Sequence, residues 1–275
     1  MPAYFWIQLY KQRAQTEPHE LARKTVEGIT RWGARYVETR ARPCENPADD
    51  PGKRHYGLVT QAVPLEEAER LLANDLAGWL SGEWRARWGG EKDLPEINLV
   101  FRCPFEFDDS LAGRRIPDAA RELKVCFWYE RDSDRINIDM DVWEEYVLMY
   151  GRDSTHKRNL RLILGLIESV YDAVNPYYGW ADKEIDSSDE SYECIAKGQL
   201  EPRNFCVVIG QPLIRRFDRN QFKGTPYSLR PLTDGGLMVI SPGPDKEDIW
   251  KWEGDPKTGR WVRFKGRFGA RLRLD

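Results

Sequence analysis

The sequence predicts an α+β fold of two closely packed mixed halves, whose mostly antiparallel sheets carry helices mainly on one face. Three observations predict this class. Apolar residues alternate through residues 123–129 and 136–142, on either side of a turn, which indicates a β-hairpin. Apolar residues recur at helical spacing through residues 160–174. The order of elements in residues 1–110 matches a ferredoxin-like βαββαβ unit.

The N-terminal half spans residues 1–110 in this prediction. Thr16 and Pro18 indicate a helix start, because threonine can cap a first turn and proline is tolerated within it. The Pro-, Asp- and Gly-rich residues 42–52 indicate a loop. The predicted elements are, in order, a strand at 3–10, a helix from Pro18 to Gly33, strands at 36–40 and 56–63, a helix from Leu65 to Trp79 and a strand at 97–107.

The C-terminal half spans residues 111–275 and begins with the hairpin and the helix already described. Asp234-Gly235-Gly236 then indicates a hairpin turn, because glycine permits a positive φ. The other predicted elements are a strand at 205–209, a short helix at 212–217, the hairpin arms at 227–233 and 237–241, and a late hairpin with arms at 249–252 and 261–264.

Composition predicts a globular chain that can bury a substantial core, since 41% of its residues are hydrophobic. The 42 basic and 45 acidic residues leave a formal net charge of -3. No whole-molecule field therefore draws the chain to nucleic acid or to an anionic membrane. No run approaches the roughly 18 apolar residues of a membrane span, and the N-terminal residues lack the features of a secretory signal.

The cysteines predict reduced thiols and a cytoplasmic location. They are odd in number, widely scattered and without a Cys-x-x-Cys pair, which favours neither a disulfide framework nor a zinc site. The five are Cys44, Cys103, Cys126, Cys194 and Cys206. We also expect no cofactor, because no Gly-rich phosphate loop is present.

Asn137, Asp139 and Asp141 project from one face of the second hairpin strand, because alternate residues of a strand point the same way. The carboxylates Asp139 and Asp141 are candidate ligands for a divalent cation. The plainer interpretation is the solvated face of an antiparallel sheet, and no third ligand is identified. A metal-dependent hydrolase or nuclease is therefore an alternative function rather than the favoured one.

The C-terminal residues interleave basic and aromatic side chains, a pattern typical of nucleic-acid surfaces. Arg263, Lys265 and Arg267 are the candidate phosphate contacts. The same alternation also fits a charged edge strand, which is the interpretation we favour. Nucleic-acid binding is thus a second alternative.

An acidic, aromatic segment from Tyr177 to Glu193 follows the long helix, and we expect it to form an exposed loop. Such a patch suits a basic protein surface, because charges speed encounter and aromatic rings supply anchors. A solvated linker would explain the acids equally well. The candidate partner-binding residues are Tyr177, Tyr178, Trp180, Asp182, Asp186, Asp189 and Glu190.

Four segments follow the long helix in a fixed order: 175–182 (Asn-Pro-Tyr-Tyr-Gly-Trp-Ala-Asp), 207–217, 224–226 and 232–239. This order resembles that of bacterial immunity proteins of polymorphic and type VI toxin systems. The resemblance covers the C-terminal part and transfers no functional residue. It implies a non-enzymatic cytoplasmic protein that neutralises a cognate toxin by binding it. We therefore favour a protein-binding protein with another protein as its partner, whereas the sequence does not determine the partner's identity or the oligomeric state.

Overall fold

The structure, a computed structural model, describes residues 4–41, 59–82, 97–107, 118–129, 134–143, 153–183, 198, 205–218, 227–240, 253–254 and 261–262. Its strands are β1 (Tyr4–Gln12), β2 (Arg35–Ala41), β3 (Val59–Gln61), β4 (Ile97–Arg102), β5 (Glu122–Tyr129), β6 (Arg135–Trp143), β7 (Tyr178–Lys183), β8 (Cys206–Ile209), β9 (Ser228–Pro231), β10 (Leu237–Ile240), β11 (Glu253–Gly254) and β12 (Trp261–Val262). Its α-helices are α1 (Pro18–Trp32), α2 (Leu65–Ser81), α3 (Asp153–Val174) and α4 (Gln211–Ile214).

One antiparallel sheet organises the described residues and confirms the α+β class. Its ten strands lie in the order β3-β2-β4-β5-β6-β1-β7-β8-β10-β9. Only β11 and β12 pair separately among the described strands. Helix α1 packs between α2 and α3 over one face of the sheet. Among the described residues, no helix is long and apolar enough to cross a membrane.

Strand β1 shows why the sheet has two different faces. Phe5, Ile7 and Leu9 alternate toward the helices and are completely or almost completely buried. They join the main core, which the helices complete with residues such as Ile29 and Ile167. The intervening side chains of β1 point to the other face, which holds the candidate site.

The short helix α4 covers part of that other face. Leu213 of α4 and Phe217 beyond it pack against Val207, Ile209 and Trp180 in a second apolar cluster. The chain therefore has one core on each side of strands β7 and β8. Helices lie mainly, but not only, on one face, as the sequence predicts.

The β5–β6 hairpin, the long helix α3 and the β9–β10 hairpin are confirmed, whereas the sequence does not predict β7. The predicted strand at 97–107 is too long, because the ladder stops at Arg102. Pro104 cannot donate to a ladder, and the amide of Glu106 instead donates to Asn159 Oδ1 at 3.1 Å. For the late hairpin, β11 pairs with β12, while residues 249–252 lie outside the described residues.

The elements described between residues 4 and 102 are β1, α1, β2, β3, α2 and β4, and their strands do not pair only with one another. Strand β1 pairs with β6 and β7, both from beyond residue 110. Strand β2 pairs with β3 and β4. The predicted boundary at residue 110 therefore crosses a continuous sheet, and the division into 1–110 and 111–275 stays a prediction.

Two helix glycines provide a matched test of the α1–α3 packing. A Cβ at Gly28 would lie 2.8 Å from Val170 Cα, whereas a Cβ at Gly165 would lie an ordinary 3.5 Å from Trp32 Nε1. Alanine gains roughly 0.5–1 kcal/mol of helix stability over glycine at either position, but overpacking costs about 1–3 kcal/mol. We expect Gly28→Ala to lower the melting temperature by about 2–6 °C and Gly165→Ala to maintain or raise it. Thermal unfolding followed by circular dichroism checks this, and equal stabilisation by both changes would contradict the packing.

Candidate functional site

The side chains of Asn137, Asp139 and Asp141 lie on the sheet face away from α1–α3, as their alternation predicts. Their neighbours across the ladder on β1 are Tyr10, Gln8 and Trp6, respectively. Cys126 of β5 lies opposite Asp139 on the other side. The polar residues of β6 are therefore enclosed by strands on both sides of β6.

Strand β7 brings the predicted partner-binding residues to the same face. Tyr178, Trp180 and Asp182 lie opposite Tyr10, Gln8 and Trp6 of β1. The candidate metal ligands on β6 and the candidate partner-binding residues on β7 are far apart in the sequence. In the sheet, only strand β1 separates them. We call this face of β6, β1 and β7 the central polar face; it is defined by Gln8, Tyr10, Asn137, Asp139, Asp141, Trp180 and Asp182.

The expectation of an exposed loop over residues 177–193 is wrong for Tyr178–Lys183, which form β7, while residues 184–193 lie outside the described residues. Tyr177, Tyr178, Trp180 and Asp182 are 7%, 1%, 2% and 3% exposed, respectively. Strand β7 lies between β1 and β8, so its backbone is paired on both sides. The amide of Phe205 also donates to Asp182 Oδ2 at 3.2 Å. These four side chains are therefore part of the interior, and their predicted role as surface anchors does not fit their burial.

A chain of hydrogen bonds crosses the central polar face. The Trp180 indole N–H donates to Tyr10 Oη at 3.1 Å. The Tyr10 hydroxyl donates to Gln8 Oε1 at 2.8 Å, and Gln8 Nε2 donates to Asp139 Oδ1 at 3.5 Å. The chain thus links β7 to β6 through two residues of β1. It satisfies polar groups that would be costly to bury alone.

The electrostatics of this face favour a protonated Asp139. Burial raises the pKa of the Asp139 carboxyl well above its usual range, and the neighbouring Asp141 raises it further. Burial also raises the pKa of the Cys126 thiol, with Asp139 and Asp141 adding to the effect. Cys126 is therefore a structural thiol rather than a nucleophile.

The described residues do not assemble the predicted metal centre. No group of three His, Cys, Asp or Glu side chains in the described ranges converges on one point. Trp6 of β1 lies between Asp141 and Asp182 in the ladder. The Asn137 side chain is buried, and its Oδ1 accepts no hydrogen bond from the described residues. The described part of this face thus holds a buried polar network rather than a converging set of ligands.

A second feature, which the sequence does not predict, is a cationic cavity beside the end of β1 and the start of β7. Its volume is about 190 Å³, and Lys11, Asn175, Tyr177, Leu213 and Arg216 are among its lining residues. These residues come from β1, the α3–β7 junction and the region of α4. The one local signal was Asn175-Pro176, where Asn175 adopts a positive φ of 54° at the end of α3.

Six of the predicted site residues lie outside the described residues. They are the acidic Asp186, Asp189 and Glu190, and the basic Arg263, Lys265 and Arg267. Their roles in partner binding and nucleic-acid binding stay predictions.

No protein-family model matches the chain, and no curated protein matches it. Among solved structures, a T6SS protein of Pseudomonas aeruginosa aligns over 89% of this chain and 71% of its own, with 11% identity and a TM-score of 0.40.

Asp139 makes the stability of the protein depend on pH. The folded state retains the Asp139 proton above the pKa of an unfolded carboxyl, about 4. The free energy of unfolding therefore falls as pH rises from that value toward the raised folded-state pKa of Asp139. We expect Asp139→Asn, which cannot ionise, to lose this decline and to be more stable than the wild type at pH 7.

Urea unfolding at pH 4 and at pH 7 measures this effect. Glu66→Gln is the control for lost charge, because Glu66 is exposed on α2. The unfolding free energy of the wild type should fall more between pH 4 and pH 7 than that of Asp139→Asn. Equal changes in the two proteins would contradict a raised pKa of Asp139 in the folded state.

Proposed function

We propose that this chain is a protein-binding protein that acts in the cytoplasm and neutralises a cognate toxin by direct binding. One observation carries the proposal: the segments that resemble immunity proteins form one contiguous end of the sheet. Residues 175–182 lead into and form most of β7, residues 207–217 form most of β8 and all of α4, and residues 232–239 form the final turn and most of β10. In the sheet these strands are neighbours, in the order β7-β8-β10-β9.

We call this region the C-terminal sheet end; it consists of β7, β8, β9, β10 and α4. Residues 224–226, the remaining segment, lie outside the described residues. The grouping supports the proposal because the resembling segments form one spatial unit with its own apolar cluster.

The C-terminal sheet end is held firmly against α3. The Tyr171 hydroxyl donates to the Asp234 carboxylate, with both oxygens at 2.9 Å. The amide of Gly236 also donates to Asp234 Oδ1 at 2.9 Å. Thr233 Oγ1 donates to Asp172 Oδ1 at 2.7 Å. A surface that is already ordered costs less entropy to bind, so this attachment favours a role in recognition.

The outer strand β9 carries an exposed apolar side chain that a partner protein could contact. Leu229 is 43% exposed and lies beside the buried Val239 of β10. The other exposed large apolar residue of the described part is Val37, which is 51% exposed and lies on β2 near the opposite end of the sheet. Substitution of Leu229 or of Val37 therefore tests which end of the sheet binds the partner protein.

We expect Leu229→Glu to weaken capture of the protein encoded by the neighbouring reading frame at least tenfold, or about 1.4 kcal/mol. The reason is that a partner would have to desolvate the new charge. Val37→Glu introduces the same charge at the other end and should leave capture unchanged.

Capture is measured by pull-down of the purified protein that the neighbouring reading frame encodes, here called the neighbour. Growth of cells that co-express the two proteins measures protection from toxicity. A wild-type chain that neither captures the neighbour nor protects against it would overturn the proposed function. Equal capture by both variants would instead place the interface away from β9.

A further inference from the structure

Strand β9 forms one edge of the ten-stranded sheet. Its inner neighbour is β10, and the sheet order places no described strand on its outer side. The ladder between the two strands is regular, with Leu229 opposite Val239 and Pro231 opposite Leu237. A regular edge strand presents a row of backbone donors and acceptors, with which another extended segment can pair.

The position of Pro231 indicates which backbone groups of β9 point outward. Residues of an antiparallel ladder alternate between pairs that exchange hydrogen bonds and pairs that do not. Proline has no N–H, so Pro231 fits a pair that does not. The amide of Leu232, which donates to Gly236 O at 3.0 Å, gives the same alternation from the turn. The N–H and C=O of Leu229 and the C=O of Pro231 therefore point away from β10.

The opposite edge of the sheet is less suited to pairing. Strand β3 has only three residues, and it pairs only with residues 39–41 of β2. The preceding part of β2 is irregular, because its register with β4 shifts between Tyr36 and Glu38. Bulges of this kind interrupt the row of donors and acceptors and protect edge strands from pairing. The exposed Val37 therefore lies on an irregular backbone, whereas the exposed Leu229 lies on a regular one.

The side chain of Leu229 indicates which residue a paired segment would carry. Arg230 lies on the α3 side of β9, where its Nη1 is 2.9 Å from Glu168 Oε2. Alternation therefore places Leu229 on the other side, which α4 partly covers. On that side, Val239 belongs to the second apolar cluster and Leu237 packs against it. A strand added beside β9 would extend this cluster, so an apolar residue is favoured next to Leu229.

We propose that β9 pairs with an extended segment of the partner protein, which adds a strand to the sheet and places an apolar side chain beside Leu229. The proposal rests on the proposed function, because it assigns the added strand to the protein that this chain captures. Backbone hydrogen bonds supply affinity in this kind of pairing, and the alternate side chains supply specificity. Pro231 limits the contact, since its backbone can accept a hydrogen bond but cannot donate one.

Two pairs of variants test the orientation of the β9 backbone. Leu229→Pro removes an N–H that points away from β10, so its melting temperature should be close to that of Leu229→Ala. By the same alternation, Arg230→Pro removes an N–H that donates to β10, so it should melt well below Arg230→Ala. Thermal unfolding followed by circular dichroism measures both differences. If each proline variant melts equally far below its alanine control, the orientation is wrong and the proposal is overturned.

Capture of the neighbour tests the pairing itself. We expect Leu229→Pro to capture the neighbour about tenfold more weakly than Leu229→Ala, because both lack the leucine side chain and only the proline variant lacks the N–H. Amide exchange of the ¹⁵N-labelled full chain gives a second measurement. The Leu229 amide should exchange about tenfold more slowly in the complex than in the chain alone, whereas the Arg230 amide should be protected in both.

If Leu229→Pro and Leu229→Ala capture the neighbour equally, strand pairing at β9 is overturned while the proposed function stands. A wild-type dimer that Leu229→Pro converts to a monomer, measured by light scattering, would assign this edge to a second copy of the chain and would also overturn the proposal. If the wild type captures no neighbour, the proposed function fails, and pairing of β9 with that partner fails with it.

Discussion

The double pairing of β1 is the constraint on which the rest of the structure depends. The strand is bonded to β6 on one side and to β7 on the other, so it joins early and late parts of the chain. Phe5, Ile7 and Leu9 anchor its inner face in the main core. Burial of such a side chain contributes roughly 1.5–3 kcal/mol. Because successive side chains alternate, the same pairing directs Gln8 and Tyr10 to the central polar face.

That alternation also explains the chemistry of the central polar face. Gln8 and Tyr10 connect Trp180 to Asp139 because all four project from neighbouring strands at matching register. A polar network of this kind specifies register, since a shift by one residue would place its members in the apolar core. We infer a structural role for this network.

The sequence predicts the elements whose periodicity is long and local, such as α3 and the β5–β6 hairpin. It does not predict β7, because this strand is short and its pairing is decided by β1, distant in sequence. Gly179 shows the constraint: a Cβ there would clash with Leu9 Cδ2 and lie 2.8 Å from Gln8 O. The cavity was missed for the same reason, since Lys11, Asn175 and Arg216 meet only in the folded chain. The metal hypothesis placed Asp139 and Asp141 correctly on one face, but it could not reveal that Gln8 and Trp6 of β1 lie beside them.

Amide hydrogen exchange of β7 tests the central claim most directly, because exchange reports whether a backbone N–H is protected by structure. If β1 is paired on both sides, peptides that cover residues 4–12 and 178–183 should exchange together and among the slowest of the chain. Rapid exchange of residues 178–183, with residues 4–12 still protected through β6, would contradict this account and return the segment to an exposed loop.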